Sequence, residues 1–188
     1  LAIILLINLI SNFVTIRIDL TKENKYSLSP VSKTILKNLD DIVYITIYLD
    51  GKLSIPYTKF KRNIKDKLEE FEVYGKRNLE FKFIDPLKDK DSEIQNKVLY
   101  ELKQKGLDLV NYSYKNNAGD LTIATIVPGA LISYKGSEVP VNLLKDDPGL
   151  SDEEKLNNSF ESLEYEFINM IRKISNDNPE NIAFIIGH

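Results

Sequence analysis

Ile42-Val43-Tyr44-Ile45-Thr46-Ile47-Tyr48-Leu49 and, further on, Leu79-Glu80-Phe81-Lys82-Phe83-Ile84 are the two runs on which the fold turns. The first is β-branched, aromatic and aliphatic throughout and lies between Asp40-Asp41 and Asp50-Gly51, which predicts a strand. The second alternates with period two and ends at Asp85-Pro86, which predicts another. From Tyr57 to Tyr74, apolar residues fall at Phe60, Ile64, Leu68, Phe71 and Tyr74, while Lys61, Arg62, Lys65, Asp66, Lys67, Glu69 and Glu70 fill the other face. Steps of four and three predict an amphipathic helix, with Gly75 expected as its C-terminal cap. Two strands joined by such a helix are expected to lie parallel through a right-handed crossover, the unit of an α/β domain.

Outward from that unit, composition sets limits. The 188 residues suffice for one main domain with appendages. Charged residues make up 28%, with both signs interleaved and a net charge of −3, so the basic footprint of a nucleic-acid-binding protein is missing. The absence of cysteine removes thiol catalysis, disulfides and thiolate metal sites together.

Leu1 to Ile10 is apolar except for Asn8, and the character persists through Phe13, Val14 and Ile16 before Arg17 and Asp19. Sixteen helical residues span roughly 24 Å, against about 30 Å for a bilayer core, so residues 1–16 read as the tail of a membrane anchor that begins upstream. A cleaved signal peptide and a buried core segment are the rival readings; no small-x-small cleavage site follows the run. Residues 17–40 read as a linker ending in a short helix marked by Val31, Ile35, Leu36 and Leu39, with Ser29 as N-cap and Pro30 at its first position.

Past the central unit, Ile94, Val98, Leu99 and Leu102 predict a helix over 91–105, closed by Gly106. Leu107–Tyr114 and Leu121–Val127 flank Asn116-Asn117-Ala118-Gly119-Asp120 and predict a hairpin that leaves the main sheet. Ala130–Tyr134 and Glu138–Leu144 predict a second hairpin, in which Pro140 points to an edge strand. Ser151-Asp152-Glu153-Glu154 resembles a capping box. Phe160, Leu163, Phe167, Met170, Ile171 and Ile174 then mark a strongly amphipathic helix, with Lys155, Glu161, Glu164 and Glu166 expected outside. Ile182-Ala183-Phe184-Ile185-Ile186 is a further apolar strand.

Setting the first hairpin aside as an extra arm, the order βαβα then ββα is that of a thioredoxin-like mixed sheet, expected over 41–176. In such folds a proline, often cis, precedes the third strand, and Pro128 stands there. The redox cysteine pair of that fold is absent, which excludes its oxidoreductase chemistry. Residues 181–188 read as the first strand of a following domain.

No catalytic, cofactor-binding or metal-ligating residue stands out. Asp19, Asp85, Asp89, Asp120, Asp146 and Asp147 fall in loops or at element ends, where paired acids could work as acid and base. Aspartate before Pro or Gly is ordinarily a turn former, however. Asp146–Glu154 does not match a calcium loop, His188 has no second histidine, and there is no phosphate-binding glycine loop. An expectation of no cofactor follows.

A family resemblance adds direction. Arg17-Ile18-Asp19-Leu20-Thr21, Tyr26-Ser27-Leu28-Ser29, Val43–Gly51, Phe60-Lys61-Arg62, Leu68-Glu69-Glu70-Phe71 and Phe83-Ile84-Asp85-Pro86 come first. They are followed by Val127-Pro128-Gly129-Ala130, Leu156-Asn157-Asn158-Ser159, Leu163-Glu164-Tyr165-Glu166-Phe167 and Ala183–His188. In that order and spacing these motifs resemble the auxiliary, substrate-binding-like proteins of gliding-motility ABC transporters, the GldG family. The resemblance implies a non-enzymatic subunit anchored in the inner membrane, with its soluble part in the periplasm, working with a separate ATPase and a permease. It also implies a following domain related to the GIFT domain of intraflagellar transport proteins, beginning near Ile182. The binding surface is left unassigned by the motifs. The rival functional class is a carboxylate-dependent hydrolase acting on envelope glycans.

Overall fold

A computed structural model describes residues 27–89, 91–115, 119–145 and 147–176. The expected anchor over 1–16, the linker before Ser27, the final strand over 181–188, and with them Asp19, Asp146 and His188, lie outside the described residues. No helix among the described residues is long and apolar enough to cross a membrane.

In chain order the elements are α1 (Pro30–Lys37), β1 (Val43–Ile47), α2 (Ile55–Gly75), a 3₁₀ turn (Lys76–Asn78), β2 (Leu79–Phe83), α3 (Ser92–Gln104), β3 (Val110–Lys115), β4 (Leu121–Ile126), β5 (Gly129–Tyr134), β6 (Ser137–Asn142) and α4 (Asp152–Ser175). The fold is mixed α/β. Four strands form a sheet in the order β2-β1-β5-β6, and β3 and β4 form a separate two-stranded sheet. β1 and β2 run parallel from Val43↔Leu79 to Ile47↔Phe83, while β1–β5 and β5–β6 are antiparallel. The expected strand–helix–strand unit and both hairpins are therefore present. Pro140 sits on β6, an outer strand, where a missing N–H interrupts no ladder on the solvent side.

The sheet is covered on both faces, unequally. Val43, Ile45 and Ile47 alternate inward from β1 and meet Phe60, Ile64, Leu68 and Phe71 of α2 and Leu163, Phe167 and Ile171 of α4, all buried. Phe71 and Phe167 meet edge to face with ring centres 6.2 Å apart, which joins the two long helices at the middle of this layer. On the opposite face a smaller cluster of Leu102, Leu107, Val127 and Leu131 fixes α3.

Several local expectations are corrected. The helix α2 starts at Ile55, two residues before Tyr57, and runs through Gly75, whose φ of −74° is helical. Lys76, at φ 54°, takes the left-handed position instead. Gly75 is small for a packing reason: a Cβ there would stand 2.8 Å from the Leu79 Cβ, where β2 begins. In contrast, Gly106 does close α3 as expected, with φ +93° and the Leu107 N–H donated back to the Leu102 carbonyl at 3.1 Å. In α1 the register is rotated from the expected one: Val31 is 66% exposed and Ser32 is buried in its place. There is no cis peptide bond among the described residues, Pro128 included.

Because Phe71 is fully enclosed between two helices and the sheet, Phe71→Ala is expected to cost about 3–5 kcal/mol of unfolding free energy. The exposed neighbour change Val73→Ala should stay within about 0.5 kcal/mol. Urea titration followed by far-ultraviolet circular dichroism measures both.

Candidate functional site

The β3–β4 hairpin is held to the main body by its aromatic residues. Tyr112 of β3 packs on Tyr57 in the first turn of α2, with ring centres 4.6 Å apart, and its hydroxyl accepts the Ser54 N–H at 3.0 Å. Tyr114 stacks on Tyr112 at 5.6 Å. The strand registers Val110↔Ile126, Tyr112↔Ala124 and Tyr114↔Thr122 place these side chains on the hairpin's inner face. The outer face carries Ile123 opposite Ser113, and Leu121 beside it, at 72% and 73% exposure.

Between this arm and the first turn of α4 lies a cleft of about 690 Å³. One wall is the stretch 108–113; the other is Asp152 and Lys155, with Asn142 and Leu144 between them. The Asn142 side chain closes one end, accepting the Asp108 N–H at 2.9 Å and donating to the Gly106 carbonyl at 3.1 Å. At the other wall Ser151 and Glu154 complete the expected capping box, which fixes where α4 begins. Burial, then the negative charge of Asp152, push the Tyr57 hydroxyl above the usual tyrosine range, so it is a neutral group at the cleft.

The described acids among those singled out from sequence, Asp85, Asp89, Asp120 and Asp147, are not brought together here. Asp85 accepts the Leu87 N–H and Asp89 the Asp91 N–H, each at 2.9 Å, as turn formers do. Asp120 and Asp147 are exposed elsewhere. Among the described residues, the carboxylates that share the cleft are Asp108 and Asp152, which no spacing rule singled out. They come from elements 44 residues apart, so only the tertiary fold pairs them. No group of three or more His, Cys, Asp or Glu suited to a metal ion is present among the described residues.

A second polar cluster corrects the expectation that Glu164 stays outside. Its carboxylate accepts the Ser29 N–H at 2.8 Å and the Ser32 hydroxyl at 2.6 Å, and Lys67 stands 3.8 Å away. Lys67 also pairs with Glu70 at 3.3 Å, and Glu70 accepts the Leu28 N–H at 2.9 Å. Glu166, likewise expected outside, pairs with Lys145 and is mostly covered. Beside this cluster, α1 and α4 leave a shallower groove of about 490 Å³ containing Val31, Ile35, Tyr165 and Ile168.

The model of a family described as a domain of unknown function, DUF7088, matches residues 22–133. The chain belongs to the DUF7088 family. The DUF7088 match takes in α1 through the arm and nearly all of β5, so the arm wall of the cleft lies within it and the α4 wall outside it. The chain is also similar to an uncharacterized protein of Borreliella burgdorferi, 26% identical over 171 residues. That similarity covers 91% of this chain and 29% of the relative, so the chain spans less than a third of that protein's length. No solved structure matches the chain.

Glu164 gives a pH test. Burial alone would raise its pKa, but the Ser32 hydroxyl, the Ser29 N–H and Lys67 outweigh it and hold the carboxyl below the usual glutamate range. A group depressed in the folded state stabilises above its unfolded pKa, and that stability is lost as pH falls through the folded value. Glu164→Gln is therefore expected to cost about 1–3 kcal/mol at pH 7. The gap from the parent should shrink once pH drops below the glutamate range, as read from urea midpoints at both pH values.

Proposed function

We propose that this chain is a non-enzymatic, membrane-anchored extracytoplasmic module of an ABC transport complex of the gliding-motility type, acting through contacts with protein partners. The observation that carries the reading is the arm: a hairpin outside the main sheet, fixed at its base by Tyr57 and Tyr112, with Leu121 and Ile123 open to solvent. Partly buried acids elsewhere are occupied by structure, Glu70 and Glu164 with Lys67 and the start of α1, Glu166 with Lys145. A thioredoxin-like core supports the same reading. Its support is the order β2-β1-β5-β6 with one parallel and two antiparallel pairings, the arm being inserted between α3 and β5. The family resemblance supplies the rest: an anchor over residues 1–16 in the inner membrane, a periplasmic soluble part, a GIFT-like domain from near Ile182, and an ATPase and permease as partners.

A hydrolase acting on envelope glycans is the second reading, favoured only by Asp108 and Asp152 lining one cleft. Release of reducing ends from purified envelope glycan that is abolished by both Asp108→Asn and Asp152→Asn would establish it.

The deciding experiment is affinity isolation of the full-length protein from crosslinked native membranes, with mass spectrometry of what accompanies it. Recovery of an ABC ATPase and a multispanning permease, reduced at least several-fold by Ile123→Lys, is the expected result. Recovery of neither sinks the transporter reading.

A further inference from the structure

The cleft under the arm has a geometry that selects its occupant. A strand that presents one face to a cavity lines it with every second residue, because successive side chains alternate. Here every residue from 108 to 113 lines the cleft, so it runs along the edge of β3 rather than against a face. β3 pairs with β4 on one side only, and on the other no backbone partner is made among the described residues. Alternate N–H and C=O groups of β3 therefore point into the cleft without a strand partner among the described residues.

The contrast with the main sheet is instructive. Its outer strands carry the residues that discourage further pairing, Glu80 and Lys82 on β2 and Glu138 and Pro140 on β6. On β3, residues 110–113 are Val, Asn, Tyr and Ser, without charge or proline. A second observation is independent of the backbone. Tyr57 is only 6% exposed and lines the cleft, and its hydroxyl has no hydrogen-bond partner among the described residues.

We infer that this cleft receives an extended peptide segment of a partner protein, which adds to the open edge of β3 as a third strand between the arm and α4. The four β3 residues that line the cleft, 110–113, at about 3.3 Å each give a seat of roughly 13 Å, enough for about four residues. Affinity comes from the main-chain ladder and selectivity from alternate side chains. The lining offers these side chains apolar surface from Leu109, Val110 and Leu144 and the ring and hydroxyl of Tyr57. The lining also holds two carboxylates, Asp108 and Asp152, with Lys155 the one cation among its described residues. The preferred segment therefore alternates apolar residues with lysine or arginine. The inference rests on the reading of this chain as a protein-contact module, and it adds the chemistry of what is contacted.

The test is hydrogen exchange of the full 188-residue chain, monitored by mass spectrometry, with a pool of capped hexapeptides alternating Val, Ile or Tyr with Lys. The expected result is slowed exchange over 108–115 at roughly millimolar peptide, an affinity usual for a short segment. Two companion pools separate the causes, one methylated on alternate backbone nitrogens and one carrying Glu for Lys. Methylation should abolish the protection, and the acidic pool should bind about tenfold more weakly, the scale of one charge-assisted contact. Tyr57→Phe should weaken binding several-fold while leaving the unliganded exchange pattern as it was. No protection with any pool, or equal protection by the methylated one, overturns the inference. Protection that appears without peptide and grows with protein concentration overturns it in favour of a second copy of this chain. All of this is read on the isolated chain, so its failure leaves the co-isolation of transporter subunits standing, and the reverse.

Discussion

The parallel ladder between β1 and β2 is the constraint from which the other placements follow. Two parallel neighbours cannot be joined by a turn, so the chain must cross the sheet, and α2 is that crossing. With α2 lying over Val43, Ile45 and Ile47, only its Phe60-Ile64-Leu68-Phe71 stripe can face inward. The remaining groove beside it is filled by α4 through Phe167. β5 takes the remaining side of β1 and pairs with it antiparallel. The close approach of Gly75 to Leu79 is the point where the crossing ends and β2 begins, and it admits no side chain.

The arm stands outside that logic. It contributes no strand to the main sheet, yet its aromatic base is part of the main core through Tyr112. The arm is packed at its root through Tyr112 on Tyr57 and carries two exposed apolar side chains, Leu121 and Ile123, on its outer face. The cleft owes its shape to two features of different origin: the register of β3 on β4 and the capping box that starts α4 at Asp152.

Most of the fold was legible in the sequence because it is written in short-range patterns. The period-two runs, the i, i+4 stripe of α2, the cap at Ser29, the box at Ser151 and the edge position of Pro140 are each local rules. What could not be read was set by tertiary contact. Glu164 looked like one more solvated acid on a polar helix face, and only the arrival of Ser29 and Ser32 from 132 or more residues away draws it inward. Ser32 likewise displaces Val31 from the buried side of α1, because a hydroxyl can answer that carboxylate and an isopropyl group cannot. The cleft was illegible for a similar reason: Asp108 and Asp152 carry no motif, and the open edge of β3 exists only once β4 has chosen its side.

The cluster around Lys67 also has a mechanical meaning. The amides of Leu28 and Ser29, at the start of the described residues, are gripped by two carboxylates that belong to the two longest helices among them. Among the described residues, a pull along the chain from before Ser27 therefore meets Glu70 and Glu164 first and is divided between α2 and α4. Hydrogen bonds to ionised acceptors are the stronger kind, and they are arranged here as a strain relief at the point where the chain enters the domain.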